Sequence, residues 1–162
     1  MGKKPTYSEN DVGILEDAVT FIRKAPSKFI GDDPSGADLT ARLVKDLILL
    51  DAGPIRAERS ASWYSVSADT DWLVSADGYV SLEPFHRMIP MPRGGLFYVR
   101  TEVLLTALAD AVVTSGADGI NWISGEPTHG ILPSNLAASS SRRNGRTVSF
   151  VFQKPVDSRP SP

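Results

Sequence analysis

His86 and Arg87 sit in the run Glu83-Pro84-Phe85-His86-Arg87-Met88-Ile89-Pro90, and three arginines (Arg142, Arg143 and Arg146) surround Asn144-Gly145. His86 could move a proton, although a loop histidine is more commonly a plain surface residue. The arginines could touch an anionic partner, although a charged hairpin tip is usually just solvated. Several other chemistries lack the residues they need. The chain has no cysteine, so it has no disulfide, no thiolate metal site and no cysteine nucleophile. Its two histidines, His86 and His129, are too far apart in sequence for a classical zinc site. No serine or threonine has the nearby His/Asp pairing of a hydrolase.

The elements that must position these residues follow from periodicity and turn chemistry. Asp77-Gly78 tolerates the positive φ of a two-residue hairpin turn. Trp72, Leu73 and Val74 before it and Tyr79, Val80 and Leu82 after it suit paired strands. Residues 84–96 then form a Pro/Gly-rich loop, in which Gly94-Gly95 reads as a turn. Ser8 with Asp11 has the form of a capping box for a helix carrying Ile14, Leu15, Ala18, Val19 and Ile22, ended by Pro26. Asp38 caps a second helix with Leu39, Leu43, Val44, Leu47, Ile48 and Leu50, which stops at Gly53-Pro54. Between 55 and 71 the pattern is poor, with Trp63, Tyr64 and Val66 as strand candidates. Thr101 caps a third helix carrying Val103, Leu104, Leu105, Ala107, Leu108 and Val112, terminated by Gly116 and Asp118-Gly119. Ile120, Trp122 and Ile123 form a strand, a weaker one lies near Ile131, and Val148, Phe150 and Phe152 alternate in the last. The expected division is a flexible arm over 1–9, one domain over 10–155 and a disordered tail over 156–162.

Composition sets the outer limits. The chain has 162 residues, enough for one domain with a core, and is 41% hydrophobic and 22% charged. A formal net charge of −2 argues against a general nucleic-acid binder. No apolar run reaches the length of a membrane span, and Met1-Gly2-Lys3-Lys4 lacks a signal-peptide core, so a cytoplasmic protein is expected.

Segment 76–90 resembles the second nucleotide motif of the GHKL (Bergerat-fold) ATPases, as in the B subunit of DNA gyrase and topoisomerase IV. That motif runs A-D-x-S-V-x-V-x-D-x-G-R-G-I-P. Ala76, Asp77, Val80, Arg87, Ile89 and Pro90 fall on its residues. Pro84 falls on the aspartate that holds adenine, and His86 and Met88 fall on the two glycines. Three further stretches are similar in the same order: Ile14 to Gly31 to L-x-x-V-R-K-R-P-x-M-Y-I-G, Leu43-Val44 to the first helix of the site, and Gly145, Val148 and Phe150 to G-T-x-V-x-F. Tyr7 matches, weakly, the tyrosine on the family's dimer-exchanging arm.

The resemblance implies an α+β fold, a two-layer sandwich with a mixed, mostly antiparallel sheet and helices on one face. It also implies a lost activity. The family's E-x-x-D-N helix puts its water-activating glutamate on Asp46, while its next two positions fall on Leu49 and Leu50. Leucine cannot ligate magnesium. A carboxylate at 46 could still polarise water; the plainer reading places Asp46 on a solvated face beside Lys45. Gly94-Gly95-Leu96 resembles a remnant of the phosphate-covering lid, too short to cover phosphates. The expected function is therefore a pseudo-ATPase: a GHKL-like domain without ATP, magnesium or another cofactor that binds a protein partner or a ligand, with a homodimer left open. A second reading is a small-molecule binder using the old cleft, lined by Asp46, Leu49, Leu50, Pro84, His86, Arg87, Met88, Pro90 and Phe97. A third is a remodelled ATPase with Asp46 as base and Glu83 or Asp51 replacing lost ligands.

Overall fold

The computed structural model describes residues 17–91, 98–125, 132 and 144–153. Three helices open the described chain. Helix α1 (Ala18–Lys24) is capped by Asp17, which accepts from the Thr20 amide at 2.9 Å and the Thr20 hydroxyl at 2.7 Å. Those bonds hold the Asp17 carboxyl below its ordinary pKa. The expected cap at Ser8 lies outside the described residues, and Asp17 starts the helix instead. Helix α2 (Ser27–Ile30) is a single turn led by Pro26 and closed by Gly31.

Helix α3 (Gly36–Leu49) begins with a reciprocal capping box. Ser35 Oγ accepts from the Asp38 amide at 3.1 Å, and the Ser35 amide donates to Asp38 Oδ2 at 2.8 Å. The cap is thus Ser35; Asp38, expected in that role, is its partner one turn in. Leu39, Leu43, Asp46 and Leu47 share the buried face. Ile48, expected in the core, is 65% exposed because it falls on the opposite side. The helix ends in a Schellman motif. The Ala52 amide bonds the Leu47 carbonyl at 3.0 Å and the Asp51 amide bonds Ile48 at 3.1 Å, with Asp51 in the left-handed region at φ 54°.

The sheet is five-stranded and antiparallel throughout, in the order β1-β2-β5-β3-β4. Its strands are β1 (Ile55–Ser60), β2 (Trp63–Ala68), β3 (Ala111–Gly116), β4 (Gly119–Ser124) and β5 (Arg146–Val151). The α+β class therefore stands, with no parallel pair among the described residues. Alternation along β2 and β5 sends Val66, Ala68, Val148 and Phe150 to one face. There they pack with Val112, Leu39, Leu43, Leu47, Leu105, Trp72, Leu73 and Phe85. Trp63, Val113 and Val151 point to the other face, beside Trp122 and Leu132. That second face is unusually polar: Ser65 and Ser149 share a hydrogen bond of 2.7 Å, and Ser67 and Thr147 one of 2.8 Å.

Helix α4 (Thr101–Leu108) packs on α1 through Ile22, Val103, Leu104 and Ala107. Arg23 ties the two by donating from Nε to the Ala107 carbonyl at 2.8 Å. The expectation that this helix ran on to Gly116 fails: it stops at Leu108, and Val112 lies in β3. Ala111-Val112-Val113-Thr114 is β-branched after its first residue, which favours strand over helix. The Gly116–Gly119 turn then joins β3 to β4.

Residues 72–82 do not form the expected strand pair. A turn forms one residue earlier than expected: the Gly78 amide bonds the Ser75 carbonyl at 2.9 Å, so Ala76-Asp77 are its central residues. Only Gly78 of the expected pair has positive φ (82°), and pairing is limited to one bridge, Val74 with Val80. Tyr79 and Val74 are exposed, whereas Trp72 and Leu73 are buried in the core and Val80 and Leu82 pack against it. The expected strand near Ile131, the lid remnant Gly94-Gly95-Leu96, Phe97, Tyr7, His129, Arg142, Arg143, the arm and the tail lie outside the described residues.

Candidate functional site

Asp46 is the first residue to place, because the expected chemistry depended on it. It projects from the buried face of α3 and is fully enclosed. The plainer expectation, a solvated Asp46 beside Lys45, is therefore wrong. Spacing carried the signal: positions 39, 43, 46 and 47 fall on one helical face. Asp46 Oδ2 accepts from the Thr101 backbone amide at 2.7 Å. Helix α4 has no side-chain cap of its own, since Arg100 occupies the N-cap position. A carboxylate from α3 thus supplies the missing acceptor at the positive end of α4. Thr101, expected to cap this helix, is its first residue and is capped.

Around that helix start the groups are paired tightly. Glu102 is fully buried, accepting from Trp72 Nε1 at 3.1 Å and from Arg100 Nε at 3.2 Å. Asp46 Oδ1 is enclosed without a hydrogen bond of normal geometry. The Tyr98 phenol interacts with the same carboxylate. Burial first, and then the Asp46 charge, raise the Tyr98 pKa above its ordinary value, with Arg42 acting in the opposite direction. Arg42 and Lys45 flank the Tyr98 ring at 4.8 and 5.0 Å from its centre. Beside them lies a cleft of about 370 Å³, lined by Ile30, Asp38, Leu39, Ala41, Arg42, Lys45 and Tyr98.

The remaining expected site residues do not converge on Asp46. Leu49 and Leu50 are half-buried at the end of α3, and Leu50 packs against the core. Pro84 is buried in a single 3-10 turn, Glu83–Phe85. His86, Arg87 and Met88 follow it on the surface, where Arg87 Nη1 lies 3.7 Å from Glu83 Oε1. Pro90 is exposed and bridges to Val99. None of these residues lines the cleft beside Tyr98. Nor do they line the clefts between α3 and β1, under the 70–80 loop, or beside Pro26 and Phe152. Trp72, Leu73 and Phe85 are buried in the same core cluster as Leu39, Leu43 and Leu47 of α3. Among the described residues no three His, Cys, Asp or Glu side chains are arranged to hold a metal ion. No described helix is long and apolar enough to cross a membrane.

A second charged cluster escaped the sequence reading. Arg146, expected on a solvated hairpin tip, is fully enclosed at the start of β5. Its Nε and Nη2 donate to the two oxygens of Asp71 at 2.6 and 2.9 Å. Nη2 also reaches Asp118 Oδ1 at 2.5 Å, and Nη1 donates to Thr114 Oγ1 at 3.1 Å. Both carboxylates hold the guanidinium charged and raise its pKa against the effect of burial. With its donors engaged in this way, the cluster reads as a staple between the 69–80 loop, the β3–β4 turn and β5. Nothing in the local sequence separates Arg146 from Arg142 and Arg143; only its place as the first residue of an alternating strand hints at burial.

No protein-family model matches the chain, and no curated protein is similar to it.

Proposed function

We propose that the chain is a non-catalytic, GHKL-like binding domain, an interaction module that does not turn over ATP. The observation that carries this reading is the use made of Asp46. At the position the resemblance gives to the general base, the carboxylate is enclosed and bonded to the Thr101 amide at 2.7 Å. A base must reach the proton it removes, and this one faces a helix end. The core supports the same reading. Trp72, Leu73 and Phe85 are buried in one cluster with Leu39, Leu43 and Leu47 of α3, and Asp46 lines none of the described clefts.

Pro84 stands where the motif has its adenine-binding aspartate, so segment 76–90 lacks that carboxylate. The small-molecule reading has no comparable support, since its described residues line none of the four clefts described above.

The test is a thermal-shift and calorimetric titration with ATP and magnesium. No shift and no heat are expected. A magnesium-dependent shift, or phosphate release abolished by Asp46→Asn in a protein that still folds, would overturn the reading.

A further inference from the structure

Arg42 and Lys45 stand three residues apart on α3, a spacing that makes side chains neighbours. Both lie over the ring of Tyr98, at 4.8 and 5.0 Å from its centre. Contact with a ring face neutralises neither charge, and like charges so placed repel. Among the described residues neither cation is ion-paired with a carboxylate. Arg42 is held in place by the bond from Nη1 to the Phe29 carbonyl at 2.8 Å, while its Nε is enclosed with no hydrogen-bond partner. A donor enclosed in this way carries the cost of lost solvation until an acceptor reaches it. Lys45 is exposed and offers three donors.

We propose that the cleft these residues share binds a small organic monocarboxylate. Arg42 and Lys45 hold its carboxylate, and Ile30, Leu39 and Ala41 receive its apolar body. The inference goes beyond the GHKL reading and does not rest on it, since no described residue assigned to the old nucleotide cleft lines this one. At about 370 Å³ the cleft falls in the ordinary range for small-molecule sites, which pair an apolar lining with a few convergent polar groups.

Charge narrows the ligand class. The carboxylate of Asp38 also lines the cleft, where Oδ2 accepts from the Ser35 amide and hydroxyl at 2.8 and 2.7 Å as part of the α3 cap. Two cations and one anion suit a ligand with a single negative charge better than a polyphosphate. Asp46 adds no charge to the lining; it is enclosed and bonded to the Thr101 amide at 2.7 Å. Its interaction with the Tyr98 phenol instead fixes the ring against which the two cations are set.

Titration of the intact, nitrogen-15-labelled chain with acetate, hexanoate and benzoate at constant ionic strength tests this, read by amide chemical shifts. Saturable shifts at Arg42, Lys45 and Tyr98 are expected. Hexanoate and benzoate should bind about tenfold or more tighter than acetate, which has almost no apolar body. Benzamide, the neutral counterpart of benzoate, should bind about tenfold or more weaker than benzoate. Lys45→Gln, at an exposed position that leaves the fold intact, should weaken benzoate by about tenfold. Arg59→Gln, in the neighbouring cleft between α3 and β1, should leave it unchanged. Shifts that grow linearly with all three carboxylates overturn the proposal, as does benzamide binding equal to benzoate or unchanged affinity in Lys45→Gln. ATP that displaces benzoate would make the cleft a phosphate site and overturn it as well.

Discussion

Arg146 holds a full positive charge inside the sheet, with two carboxylates and a threonine hydroxyl around it. A buried ion of this kind is compensated only while its partners remain, and removing one side leaves the other uncompensated. Arg146→Met should therefore cost about 3–5 kcal/mol in urea unfolding, because it leaves Asp71 and Asp118 facing each other. Arg146→Lys keeps the charge but loses the planar fork to Asp71, and should fall between the two. Asp46 shows how much a single residue disclosed. Its spacing with Leu39 and Leu43 put it on the buried face, but its partner, the Thr101 amide, lies in another helix. Burial was legible from local periodicity; the identity of the partner was not.

Elements end where the chain can satisfy its loose backbone groups, and two ends here do so with the wrong residue type. Asp51 closes α3 in the left-handed region at φ 54°, and Ala61 turns the β1–β2 hairpin at φ 53°. An L-residue crowds its own carbonyl there, and glycine does not. Asp51→Gly and Ala61→Gly should each stabilise the protein by roughly 0.5–1 kcal/mol after glycine's greater chain entropy is subtracted. Ala41→Gly, an exposed position inside α3, should have the opposite sign at about 1 kcal/mol, so thermal melts of the three variants form a matched set. Helix α3 was readable to within a few residues because one leucine face and a capping box coincide. Strand β1 was not readable, since Ile55-Arg56-Ala57-Glu58-Arg59-Ser60 is exposed and alternates weakly. The 72–82 segment had the composition of paired strands, but Trp72 and Leu73 are used in the core rather than in a ladder, and composition does not distinguish the two.

At the scale of the whole molecule the decisive feature is the order of strands. The last strand, β5, is not at an edge but in the middle, between β2 and β3. Its partners on one side, Trp63 to Ala68, lie far back in the chain, and α3 packs against the surface that β2 and β5 build together. Periodicity located β5 through Val148 and Phe150, yet could not say which strands it would join, because pairing is set by burial across distant segments. The sheet therefore has no independent N-terminal half. Without β5, β1 and β2 would be an isolated hairpin, which is marginal in water. Core residues Leu43, Val66 and Val112 would also lose Val148 and Phe150 as neighbours. A chain truncated after Asn144 should show no cooperative thermal transition and no near-ultraviolet circular dichroism from Trp63 or Trp72. A cooperative melt in that truncated chain would mean that the elements before β5 form a core without it, contrary to the shared core. Closing the loop from β2 to β5 also comes before any reward in contacts, so refolding after a denaturant jump should be slow for the chain's size. Phe150→Leu, altering the β5 face that stacks on Tyr64 at 5.4 Å, should slow it further if that closure is part of the transition state.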